Sequence, residues 1–98
     1  MKIAVTSNNG QQIDPYSEKT KMVFVINVRG NQIWSVKKRE TSYDPKFFST
    51  RFERIYEIIK DCNVLVTSRI DPKTSQRLSF LGIRVKRAEG DLWGALRD

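Results

Sequence analysis

The chain has 98 residues, 39% hydrophobic and 30% charged, with a formal net charge of +7, a single cysteine and no histidine. Such a length suits one domain spanning residues 1–98, able to bury roughly 60–68% of its unfolded surface without a staple. The lone Cys62 excludes an internal disulfide, and the lack of histidine excludes a Cys/His zinc site, a Ser-His-Asp triad and an imidazole base.

The opening stretch, Lys2-Ile3-Ala4-Val5-Thr6-Ser7, is short, apolar, rich in β-branched residues and closed by the polar cluster Asn8-Asn9-Gly10, the pattern of a buried central strand. Residues 8–21 are almost wholly polar. Met22–Val28 then reads as a second strand, Arg29-Gly30-Asn31 as a tight turn, and Gln32–Arg39 as the returning strand of a hairpin. Its mixed alternation, with Gln32, Trp34, Val36 and Lys38 on one side, suits an edge strand guarded by charge.

A connector over residues 40–49 leads to an amphipathic helix. Phe48, Phe52, Ile55 and Ile59 make its core stripe, while Arg51, Glu53, Arg54, Glu57 and Lys60 are expected to face water. Two starts fit: Asp44-Pro45 as a cap followed by proline, or Thr50 with Glu53 as a capping box. Asn63–Ser68 is the next buried strand. Asp71-Pro72 caps a second helix with a narrow stripe of Thr74, Leu78 and Leu81, and Gly82 ends it. Ile83–Arg87 is the last strand, followed by a short terminal helix over Leu92–Arg97.

The order β-β-β-α-β-α-β demands right-handed crossovers in its second half. The economical solution is an α/β fold with a five-stranded mixed sheet in the order 3-2-1-4-5, strand 2 antiparallel and helices packed on the sheet. Strands 1 and 4 are then neighbours whose connections leave in opposite directions, and open α/β sheets bind ligands at such a switch point. Two segments meet there: the long loop after Ser7 and the turn Ser68–Pro72. A connection of about 14 residues, where hairpins usually use about 2–5, invites a functional role. Asp71 is expected to cap its own helix, and Arg69 beside it is the better anion contact.

Four stretches resemble the dinitrogenase iron-molybdenum cofactor biosynthesis family, the NifX-like proteins and the C-terminal domain of NifB: Lys2–Ser7, Ile13-Asp14, Asp61–Val66 and Leu81-Gly82-Ile83. The resemblance spans residues 2 to about 87. It implies a ribonuclease H-like fold and a non-enzymatic role in holding or carrying iron–sulfur and iron–molybdenum cofactor precursors. The family loop typically reads Asp-x-His-Phe-Gly, with the histidine implicated in cluster binding. Here it reads Asp14-Pro15-Tyr16-Ser17-Glu18, with Tyr16 in the histidine's place, and the glycine-rich turn after strand 4 has become Ser68-Arg69-Ile70-Asp71. The expected contact residues are therefore Ser7, Asn8, Asn9, Gly10, Asp14, Tyr16, Ser17 and Arg69, with no assigned metal ligand. Cys62, the one soft donor, falls at the opposite end of the sheet and reads as a buried structural thiol.

A positive balance attracts anions of any kind, so an anionic metal cluster, another small anion and cofactor-assembly proteins are the expected partners. Nucleic acid is the less favoured alternative, because the two basic runs, Lys37-Lys38-Arg39 and Arg84-Val85-Lys86-Arg87, sit on opposite edges of the expected sheet. A protein–protein adaptor using Trp93 and Leu96 is another. A two-metal nuclease is disfavoured, since the central strands carry no carboxylate. No apolar run approaches the roughly 18–20 residues of a membrane span, and a cytoplasmic protein is expected.

Overall fold

The computed structural model describes residues 1–17, 19–41 and 51–97. Its elements are β1 (Lys2–Thr6), β2 (Met22–Arg29), β3 (Gln32–Glu40), α1 (Arg51–Ile59), β4 (Val64–Thr67), α2 (Pro72–Phe80), β5 (Arg84–Arg87) and α3 (Leu92–Arg97). The five strands form one sheet in the order β3-β2-β1-β4-β5. β2 runs antiparallel to both of its neighbours, whereas β1, β4 and β5 are parallel. The order and the strand directions agree with those expected from the sequence.

Alternation along the central strands divides the core between the two faces of the sheet. Ala4, Val23, Val25 and Leu65 point to one face, where they meet Ile55 and Ile59 of α1 and Leu78 of α2. Val5, Phe24, Ile26 and Val66 point to the other, where Ile13 from the first loop and Leu92 from α3 pack on them. β1 is thus buried from both sides.

The first hairpin turns at Gly30, whose φ of +61° is a left-handed value that a side chain would resist. Its register shifts within β3: Asn27 pairs with Ser35 and Val28 with Ile33, so Trp34 is an extra, bulged residue. The simple alternation expected for this strand therefore fails at Trp34. Ile33 and Val36 face the same side as Val28 and Ile26, which they pair with, and Trp34 lies 61% exposed with the Arg29 guanidinium 4.8 Å from its ring.

α2 begins as its sequence predicts. The Asp71 carboxylate accepts hydrogen bonds from Thr74 N at 3.0 Å and Thr74 Oγ1 at 2.8 Å, and Pro72 follows. It ends in a Schellman arrangement, with Gly82 N donating to Ser79 O and Ile83 N to Leu78 O, and Gly82 at φ +92°. Leu78 is fully buried, but Leu81 caps the helix half exposed instead of extending the stripe.

Arg54 on α1 departs further from expectation. It is buried, with Nη2 donating to Thr20 O at 2.7 Å, Thr41 O at 2.8 Å and Thr41 Oγ1 at 2.9 Å. The loop before β2 and the exit of β3 both present carbonyls beside this helix, and a charged fork satisfies them where an aliphatic side chain could not. Phe48, the Asp44-Pro45 and Thr50 helix starts, and Glu18 lie outside the described residues. No helix among the described residues is long and apolar enough to cross a membrane.

Candidate functional site

β1 and β4 end side by side on matching hydroxyls, Thr6 and Thr67. Both residues are fully buried, and their Oγ1 atoms lie 2.8 Å apart. Around this pair the two expected segments come together. Thr6 Oγ1 lies 2.6 Å from the Asp14 carbonyl oxygen, and Thr67 Oγ1 lies 3.2 Å from the carbonyl oxygens of both Asp14 and Arg69. Tyr16 N donates to Arg69 O at 2.8 Å and to Thr67 Oγ1 at 3.1 Å. The loop after β1 and the turn after β4 are therefore joined through strand-end hydroxyls. Neither threonine was among the expected site residues, although their place as the last residues of two adjacent central strands was a usable signal.

The loop itself is built on side-chain-to-backbone hydrogen bonds, as short polar residues in turns favour. Ser7 is buried, and its Oγ accepts from Gly10 N at 3.0 Å. Asn9 Oδ1 accepts from Gln11 N at 2.9 Å and Gln12 N at 3.0 Å. Asn8 N donates to Asp14 Oδ2 at 2.8 Å, while Asn8 Oδ1 accepts from Lys21 N at 2.9 Å. Farther along, Ser17 Oγ accepts from Lys19 N and Ser17 N donates to Thr20 Oγ1. Both asparagines are exposed and turn their oxygens inward, so their amino ends remain the parts available to a visitor.

Gly10 is required by its surroundings. Its φ is +75°, and a Cβ there would stand 2.9 Å from Cζ of Phe24. Trp93 Nε1 donates to the Gly10 carbonyl at 3.2 Å, and Leu92 N to Gln11 O at 2.8 Å. The start of α3 thus pins the tip of the loop.

The remaining expected residues are divided by burial. Tyr16 is 4% exposed and belongs to the core beneath α1 and α2, which follows from its large apolar ring. Arg69 is exposed, and its guanidinium makes no hydrogen bond to another described residue. Cys62 lies at the N-terminal end of β4, across the sheet from this crevice. It is buried, and burial first, then the neighbouring Asp61 charge, push its thiol up to about 11. No group of three or more acidic, cysteine or histidine side chains that could hold a metal ion occurs among the described residues.

A five-stranded mixed sheet with two loops stapled together at its switch point defines the class of fold. The model of the family described as dinitrogenase iron-molybdenum cofactor matches residues 1–98, and the chain belongs to that family. Among solved structures, PH0822 superposes with a TM-score of 0.78 at 15% identity, over 99% of this chain and 86% of that one. The crystal structure of MJ0327 from Methanocaldococcus jannaschii, described as a candidate dinitrogenase, gives 0.70 at 20% identity over 99% and 84%. The NMR structure of MJ0327 gives 0.69 at 20% identity over 97% and 80%. Likeness at these identities shows the fold alone. No curated protein matches the chain.

Proposed function

We propose that this chain is a non-enzymatic binding and carrier protein that holds an anionic iron–sulfur or iron–molybdenum cofactor precursor in the crevice between the Ser7–Ser17 loop and Arg69. The observation that supports this reading most is the family match over residues 1–98. The crevice residues suit a cargo bound by charge and hydrogen bonds. Arg69 brings an exposed guanidinium, and Asn8 and Asn9 bring carboxamide amino groups whose partner oxygens are already engaged. Ser7, Gly10, Asp14 and Ser17 hold the loop, and Tyr16 anchors it in the core.

The donor set bears on what form the cargo takes. There is no histidine, and Cys62 is buried at the opposite end of β4. A precursor held here keeps its own ligands and is gripped from outside, in place of coordination by protein thiolate or imidazole. A carrier must also receive and release its cargo, so cofactor-assembly proteins in the cytoplasm are its partners.

The test is anaerobic incubation with an iron–sulfur cofactor precursor, followed by gel filtration and iron and molybdenum analysis of the protein peak. Metal is expected to co-elute in a fixed ratio, and Arg69→Glu is expected to reduce retention about tenfold, as loss of a close charge contact does. A metal-free peak under conditions where a histidine-containing relative retains metal would refute the carrier reading. Unchanged retention in an Arg69→Glu, Asn8→Asp double variant would move the site elsewhere.

A further inference from the structure

On the face of the sheet away from α1 and α2, the short helix α3 leaves part of the surface uncovered. A cavity of about 650 Å³ lies between α3 and the β2–β3 hairpin, and one of about 220 Å³ lies between α3 and β5. Both are lined by Met1, Ile3 and Leu96, so they adjoin at the end of α3 as two parts of one groove. Its floor is aliphatic, and Met1 and Ile33 on its hairpin side are 60% and 51% exposed. Arg84 and Lys86 stand on its β5 wall, alternate residues of one strand and hence on one face. Neither makes a side-chain hydrogen bond or ion pair with another described residue, and no described lining residue is acidic.

We propose that this groove is a docking site for an acidic amphipathic segment of a partner protein, whose apolar side chains fill the groove and whose carboxylates pair with Arg84 and Lys86. Charge complementarity selects this occupant. A second copy of the chain would bring a further +7 and the same two cations to the contact. A nucleic acid would satisfy the cations but has no aliphatic side chains to fill a floor made by Ile3, Val28 and Leu96, its apolar surface being mainly flat base faces. The groove runs from Met1 up to Val66, Ala88 and Trp93 on the α3 face of the sheet, and Trp93, through its hydrogen bond to the Gly10 carbonyl, stands between it and the loop of the crevice. The inference rests on the groove's own lining and charge, and stands whether or not the crevice carries a cluster.

The test is selection of short random peptides against the whole chain, with the winning peptide resynthesised and its affinity measured by fluorescence anisotropy. Winners are expected to combine apolar residues with Asp or Glu. Arg84→Glu with Lys86→Glu should weaken them about tenfold or more, as should Ile33→Asp, and added salt should weaken them through the charge pairs. All three residues are exposed, and an unchanged circular-dichroism spectrum and melting temperature check that each variant keeps the fold. The proposal is overturned by peptides that lack acidic residues or ignore these substitutions, by failure to enrich any peptide, or by a dimer in sedimentation that Ile33→Asp abolishes. It is equally overturned by a single-stranded oligonucleotide that binds and is lost on Arg84→Glu with Lys86→Glu while no acidic peptide competes.

Discussion

The hydroxyls of Thr6 and Thr67 lie 2.8 Å apart at the ends of two neighbouring parallel strands, and the carbonyls of Asp14 and Arg69 close over them. The candidate crevice is therefore organised from below, by buried groups, and its exposed residues hang on that support. Thr67→Val keeps the side-chain shape but leaves Tyr16 N with one partner fewer and removes a buried hydroxyl from both carbonyls. A loss of about 1–3 kcal/mol is expected for such an unsatisfied set, read as a lower urea midpoint, with Thr67→Ser costing less.

Gly10→Ala tests the loop tip. The new methyl meets the Phe24 ring at 2.9 Å and sits on a backbone with φ of +75°. Strain and displacement together should cost about 1–3 kcal/mol. Because Trp93 Nε1 donates to the Gly10 carbonyl, the substitution should also change tryptophan emission from the folded state. A Trp34→Phe background assigns that change to Trp93.

Arg54 predicts a large effect from a residue type usually found on the surface. Arg54→Ala removes a charged donor from the Thr20 and Thr41 carbonyls at once, and a loss of about 3 kcal/mol or more is expected in chemical denaturation. Arg54→Lys keeps the charge without the planar fork and should recover only part of it. A loss below about 0.5 kcal/mol, the ordinary surface value, would show that the contacts carry no net stability.

The Asp61 carboxylate joins three elements. Arg39 Nη1 and Nη2 reach its two oxygens at 2.6 and 2.8 Å, Lys2 Nζ reaches it at 3.0 Å, and Arg39 also donates to Ile58 O at the end of α1. The Arg39 hydrogen bonds first, and then Lys2, hold the carboxyl well below the usual carboxylate range. A depressed carboxylate contributes stability that is present above its unfolded value of about 4 and is lost as pH falls toward the folded one. The side chain is 41% exposed, so solvent screening limits the contribution to about 1 kcal/mol. Wild type should accordingly exceed Asp61→Asn in melting temperature at pH 7, and the gap should close steadily below about pH 4.

Local pattern was enough to place the strands and helices. Short apolar runs rich in β-branched residues mark β1, β2 and β4, the Asp71-Pro72 cap and Gly82 bound α2, and the chirality of crossovers leaves few sheet orders to choose from. The long loop and Arg69 were also legible as neighbours, because that topology brings the C-terminal ends of β1 and β4 together.

Tertiary structure alone decided the rest. Helical periodicity puts Arg54 on the polar face of α1, but the carbonyls that bury it come from residues 34 and 13 positions away. No window of sequence contains them. The bulge at Trp34 arises from pairing with β2, and the alternation of β3 read by itself cannot show it. The groove around α3 likewise depends on how much of one sheet face a six-residue helix can cover. Sequence determined which segments are apolar and how each folds locally, since those properties reside in neighbouring residues. Which polar groups are buried together, and which apolar ones stay open, depends on contacts between segments far apart in the chain.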